Sequence, residues 1–236
     1  MNIFQAIVDG MTWLLNRLYE FSVIIGLPNY GIAIILLTII IKIALYPLSQ
    51  KQMKSMMGMQ QIQPKIKEIQ DKWKNKDPKK MQQLIMELYQ EHNVNPAMGC
   101  LPLLVQMPIL IALYRSLFNF QYADPQSAKF LWIHNLSDRA LPFPAFASDP
   151  AGFVLSYILP VLAGITTYMQ SKMTATTNDP TTKMMTITMP IFITWISATI
   201  PAGLALYWVV YNVASIIQQY FVNKQAAAVR GEASGK

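Results

Sequence analysis

The chemistry in this chain centres on Lys42, a single basic side chain inside the apolar run Tyr30 to Ser49, YGIAIILLTIIIKIALYPLS. As a helix that run is about 28 Å long, close to the roughly 30 Å of a bilayer's hydrocarbon layer. An ammonium placed centrally in such a helix costs about 2.5 to 3.5 kcal/mol unless it finds a partner or water. Two arrangements answer that cost. The amine can stretch toward the inner headgroups, against the lean of helical side chains toward the N-terminus. Alternatively it faces a wet intramembrane cavity that attracts anions. No Asp or Glu occurs in any apolar segment of the chain, so no internal carboxylate is on offer. Proton and cation pathways, which use intramembrane acids, are disfavoured for the same reason. Catalytic groupings are sparse. His92 and His134 fall in loops assigned to opposite sides of the membrane, and Cys100, the one cysteine, starts an apolar segment. With no glycine-rich phosphate loop, paired intramembrane carboxylates or HExxH pattern, we expect no catalytic residue, metal or cofactor, and so no enzyme.

The elements that must position Lys42 follow from composition and period. Hydrophobic residues make up 53% and charged residues 13% of the sequence, the balance of an all-α integral membrane protein. Five spans are expected, at about 30–49, 98–119, 152–171, 184–200 and 202–222. Residues 1–26 read as an interfacial helix outside the cytoplasm, with Phe4, Ile7, Val8, Met11, Leu14, Leu15 and Leu18 on one face. Residues 50–95 hold nine lysines against five acids. There Met59, Ile62, Ile66, Ile69 and Trp73, then Met81, Leu84, Ile85 and Leu88, recur at helical spacing around Asp77-Pro78, a cap followed by a first-turn proline. Two amphipathic helices in a hairpin are expected there, outside the bilayer. Residues 223–236 read as a short, frayed polar tail. With the N-terminus outside and the C-terminus inside, fourteen Lys and Arg lie on the inner side against three on the outer. Arg115, near the end of the second span, reaches headgroups most simply.

Within the spans stand Thr38, Gln106, Thr166, Thr167, Gln170, Ser197, Asn212 and Gln218, among methionines. These serve either as helix-to-helix hydrogen bonds or as the lining of one hydrated groove around Lys42.

The segments NYGIAIILLTIIIKIALYPL, QKQMKSM, QPKIKEIQ, VNPAMGCLPLLVQMPILIALY, LWIHNLS and PAGLALYWVVYNVASIIQQ, in this order and spacing over roughly residues 27–222, resemble the YidC/Oxa1/Alb3 family of membrane protein insertases. The resemblance implies a five-span core of the bacterial cytoplasmic (inner) membrane. Its water-filled groove opens to cytoplasm and lipid, is closed outside, and receives the hydrophilic end of a nascent membrane protein. By position the groove charge falls on Lys42, with Thr38 and Gln170 also in the groove. Met107, Leu110, Gly203, Tyr207 and Trp208 match substrate-contacting positions. The hairpin, with Lys65, Lys67, Lys72, Lys74, Lys76, Lys79 and Lys80, and the 172–183 loop correspond to surfaces that meet the ribosome, targeting factors or the Sec translocon. The family usually has arginine where Lys42 stands, so bidentate carboxylate binding is lost while the charge remains. A large periplasmic domain with an extra first span, a lipobox cysteine and a long basic C-terminal tail are not found. Strong autonomous ribosome docking is therefore not expected.

The function expected is that of an insertase and folding chaperone, acting alone or beside the translocon, with nascent membrane proteins and the lipid bilayer as partners. No sequence-specific nucleic-acid partner is expected. The competing reading is an anion carrier that uses Lys42 as its binding charge. Against it stand the lack of an inverted repeat and a hairpin suited to macromolecular partners.

Overall fold

The computed structural model describes residues 3–95, 101–118, 120, 122–174 and 180–234. Among them are nine helices and no strand: α1 (Ile3–Ile24), α2 (Tyr30–Ala44), α3 (Tyr46–Trp73), α4 (Pro78–Glu91), α5 (Leu101–Phe118), α6 (Ala145–Ser148), α7 (Pro150–Thr174), α8 (Pro180–Thr199) and α9 (Ala202–Ser234).

The apolar run around Lys42 is not one straight helix. Asn29 starts α2 by accepting from Gly31 N (2.8 Å), and its amide donates to the Lys129 carbonyl. After fifteen residues α2 stops at Ala44, and α3 departs at 65°. Pro47, the second residue of α3, supplies the cause: its ring lacks an N–H and crowds the carbonyl four residues back, at Ile43. Lys42 therefore lies in the last turn of α2 rather than two turns inside a span ending at Ser49. A cation there also meets the negative end of the helix dipole.

The central core joins Leu15 of α1, Ile34 and Leu37 of α2, Leu113 and Leu117 of α5, Leu136, and Leu204 to Tyr207 of α9. In lipid such contacts gain little from leaving water, so close packing and interhelical hydrogen bonds must hold them. Close approach is visible at Gly203, where an added Cβ would lie 3.0 Å from Ile34 Cδ1 and 3.3 Å from the Leu136 carbonyl oxygen. The antiparallel neighbours α7 and α8 meet in the same way at Gly164 and Thr194.

The N-terminal helix does more than lie on a surface. Leu15 is fully buried, with Met11, Leu14 and Leu18 packed around it, whereas Ile7 from the predicted face stays 42% exposed. The first turn of α9 is tied to the preceding loop, Ala202 N donating to Asp138 O and Gly203 N to Leu136 O, both at 2.8 Å. Helix donors that would otherwise lack acceptors are satisfied this way. At its other end α9 runs on to Ser234 instead of fraying after residue 222.

The hairpin forms as its period requires. Asp77 accepts from Lys79 N (3.1 Å) and Lys80 N (3.0 Å), and Ile62, Ile66 and Leu88 make a small core of their own with Ile69, Ile85 and Tyr89. Of the other expected segments, 98–100, 119 and 175–179 lie outside the described residues.

Candidate functional site

Helix α9 carries polar or aromatic groups every four residues, Tyr207, Tyr211, Ser215 and Gln219, which stack along one face. Other helices dock their polar side chains on or beside that face. The Lys42 amine donates to Ser215 Oγ at 2.7 Å and stands 4.2 Å from the centre of the Tyr211 ring. Gln106 of α5 donates to Tyr207 Oη at 2.9 Å. From α7, Thr167 Oγ1 accepts from Trp208 Nε1 at 3.0 Å. The Asn212 amide, oriented with its oxygen toward the Thr166 and Thr167 hydroxyls, donates to Gln170 Oε1 at 2.7 Å.

Lys42 is thus turned inward to α9 rather than out along α2. The one ion pair among the described residues is Arg17 with Glu20, so Lys42 has no carboxylate partner there. Its attractions are a neutral hydroxyl and a ring face, each able to yield to an anion. A cavity of about 550 Å³ adjoins it, bordered by Tyr46, Gln50, Ala214, Gln218 and Phe221. Ser49 Oγ and the Gln218 amide meet beside it at 2.8 Å.

The remaining candidates fall into different places. Of the expected groove residues, Lys42 and Gln218 border that cavity. Thr38 is fully buried and spends its hydroxyl on the Ile34 carbonyl at 2.7 Å. Gly203 and Tyr207, matched to substrate-contacting positions, are buried in the core. Met107 is 45% exposed on α5, and Leu110, Gln170 and Trp208 are half-buried. The hairpin lysines 65, 67, 72, 74, 76, 79 and 80 are all exposed. Lys80 and Lys72 flank the Trp73 ring at 4.3 and 5.9 Å, and Lys65 Nζ lies 3.2 Å from His92 Nε2. Arg115 is exposed beside the Phe4 ring, 5.1 Å from its centre. No cluster of His, Cys, Asp and Glu fit to hold a metal occurs among the described residues.

Sequence reasoning missed Ser215 and Tyr211, the immediate neighbours of the Lys42 amine. The signal was present: four-residue spacing down α9 that puts a hydroxyl two turns beyond Tyr207.

Comparison with known proteins gives these features a family. The model of the family described as 60Kd inner membrane protein matches residues 21–229. The chain is 43% identical over 204 residues to the membrane protein insertase YidC of Geobacter metallireducens, covering 86% of this chain and 35% of that protein. With the YidC of Wolinella succinogenes it shares 43% over 225 residues, 94% of this chain and 38% of the other. In fold it is similar to the solved structure described as an active YidC insertase with the first transmembrane domain resolved. There the TM-score is 0.68 at 28% identity, over 94% of this chain and 47% of that one. The chain spans 34–39% of the length of the curated relatives it matches. It belongs to the 60Kd inner membrane protein family, among whose members its curated relatives are named YidC membrane protein insertases.

Proposed function

We propose that this chain is a membrane protein insertase and folding chaperone of the bacterial inner membrane. In this reading it has five spans, N-terminus out and C-terminus in, and works without catalysis. Pro150–Thr174 is long and apolar enough to cross alone, the bent pair Tyr30–Ala44 and Tyr46–Trp73 passes together, and Leu104–Leu117 and Met184–Thr199 are shorter apolar helices. The observation that carries the proposal is the Lys42 amine, turned into the helix bundle beside a cavity with no acid of its own.

A hydrated cavity reaching Lys42 shortens the hydrocarbon path for a short polar terminus, and the positive charge attracts an acidic one. Burial of the client's roughly 20 apolar residues in lipid then drives insertion. Met107 and Leu110 offer the client apolar surface, while Gln170 and Trp208 offer hydrogen bonds at the edge of the α7–α9 network. Thr38, Gly203 and Tyr207, lying in the core, set the spacing of α2, α5 and α9 beneath it. The exposed hairpin lysines are the docking charges for the ribosome, targeting factors or the Sec translocon.

The test uses vesicles reconstituted with the protein and a single-span client carrying an acidic translocated end. Lys42→Arg keeps the insertion yield, and Lys42→Ala and Lys42→Glu lower it, most for the most acidic client. Equal yields from Lys42→Glu and the unchanged protein would remove the charge from the mechanism. Uptake of a labelled anion without insertion would replace the proposal with a carrier.

A further inference from the structure

Far along the chain from Lys42, the loop between α5 and α7 builds two cavities against the ends of α7, α8 and α9. The first, about 460 Å³, is lined by His134, Asp138, Arg139 and Asp149 together with Trp132. The second, about 610 Å³, lies against α7 and α8, and its only charged side chain is again Arg139. Residues 139–141 border both. That segment is fixed in place, with Ala140 N donating to the Ala198 carbonyl at 3.2 Å and Leu141 N to Ser156 Oγ at 3.0 Å.

The chemistry of this pair of cavities is mixed in sign. None of the four ionisable groups forms an ion pair among the described residues. Asp149 commits Oδ1 to the Gly152 amide at 2.9 Å, which leaves its second oxygen available. A simple anion here would face two carboxylates, and a simple cation would face a guanidinium. A zwitterion answers both. The second cavity adds the other half of the argument, because its wall includes Ile191 and Trp195, which are 64% and 63% exposed. Trp195 stands four residues, about 6 Å, before the end of α8, the depth at which indoles collect at a membrane–water boundary.

We propose that these adjoining cavities hold one zwitterionic aminophospholipid, its phosphate on Arg139, its ammonium toward Asp138 and Asp149, and one acyl chain along Ile191 and Trp195. The primary ammonium matters: it donates hydrogen bonds to carboxylates, which a choline headgroup cannot do. The site goes beyond the insertion reading and does not depend on it.

The experiment is native mass spectrometry of the full chain in mild detergent with an equimolar mixture of phosphatidylethanolamine, phosphatidylglycerol and phosphatidylcholine carrying the same acyl chains. The unchanged protein retains one phosphatidylethanolamine in preference to the others. Arg139→Gln, at an exposed position that the fold does not need, lowers that retention about tenfold, the effect of one charge-assisted contact. Asp138→Asn combined with Asp149→Asn shifts the preference to phosphatidylglycerol. Trp195→Ala lowers retention of every lipid without changing their order, and soluble phosphoethanolamine does not displace the lipid. Equal retention of all three lipids, or no effect of Arg139→Gln, would overturn the proposal in favour of unspecific annular lipid. Preference for phosphatidylglycerol in the unchanged protein would reduce the site to an anion site. Displacement by phosphoethanolamine at matching concentration would make it a small-molecule site with no role for the acyl groove.

Discussion

The contact between Gln106 and Tyr207 offers a way to measure how dry the centre of the bundle is. Gln106 is 5% exposed and Tyr207 not at all, and the amide donates to the phenol at 2.9 Å. The other end of the amide, Oε1, is buried with no partner among the described residues. Tyr207→Phe therefore strands an entire carboxamide, and a buried polar group left without partners costs about 1–3 kcal/mol. Gln106→Leu removes the stranded oxygen along with the donor and leaves only a phenol short of one bond, so its cost should stay below about 1 kcal/mol. Once Gln106 is leucine, Tyr207→Phe has little left to break. The double variant should match Gln106→Leu alone, so the coupling equals the Tyr207→Phe cost itself, about 1–3 kcal/mol, above the roughly 0.6 kcal/mol average for hydrogen bonds between membrane helices. Reversible unfolding of the four proteins in mixed micelles, followed by circular dichroism, gives the cycle. Additive effects, or a Tyr207→Phe variant as stable as its parent, would mean that water already reaches this level and substitutes for the lost partner. The reasoning from burial would then fail.

Three further outcomes follow from local geometry. Gly203→Ala puts a methyl 3.0 Å from Ile34 Cδ1 and 3.3 Å from a backbone oxygen, so it should destabilise by about 1–3 kcal/mol, read in the same unfolding assay. Asp77→Ala removes the acceptor for two amides at the start of α4 and should cost about 0.5–2 kcal/mol, seen as faster hydrogen exchange in the first turn of α4. Asp124 is held below its ordinary value of 3.8 chiefly by the Ser127 amide, with the Gln126 amide also contributing. Its contribution to the loop is present above pH 3.8 and is lost as pH falls through the lower folded value, so exchange at Gln126 and Ser127 should accelerate only below pH 3.8; acceleration that begins nearer neutral pH would count against that assignment.

Periodicity carried much of this fold, and the reasons for its gaps are physical. The hairpin core was legible because Ile62, Ile66, Ile69, Ile85 and Leu88 can only face one another if both segments are helices. The break after Ala44 was harder to see, since Leu45 and Leu48 carry apolar side chains across it and only Pro47 marks it. Lys42 stood out because a charge among isoleucines must reach either the headgroups or water. Its neighbours Tyr211 and Ser215 did not, because a tyrosine and a serine in a span pass for ordinary helix-to-helix contacts. The burial of Gly203 and Tyr207 was beyond the reach of pattern alone: position within a motif says which residues recur together, not which of them lies beneath the others.

The bend beside Lys42 has a mechanical consequence. The eighteen residues of α3 before Pro64 make an arm about 27 Å long, so a 10° change at its root sweeps that point through about 5 Å. The root, Tyr46, follows Lys42 by four residues. Anything that draws the Lys42 side chain off Ser215 pulls at the fulcrum of that arm. A force applied to the arm's tip is felt, in turn, near where the charge sits.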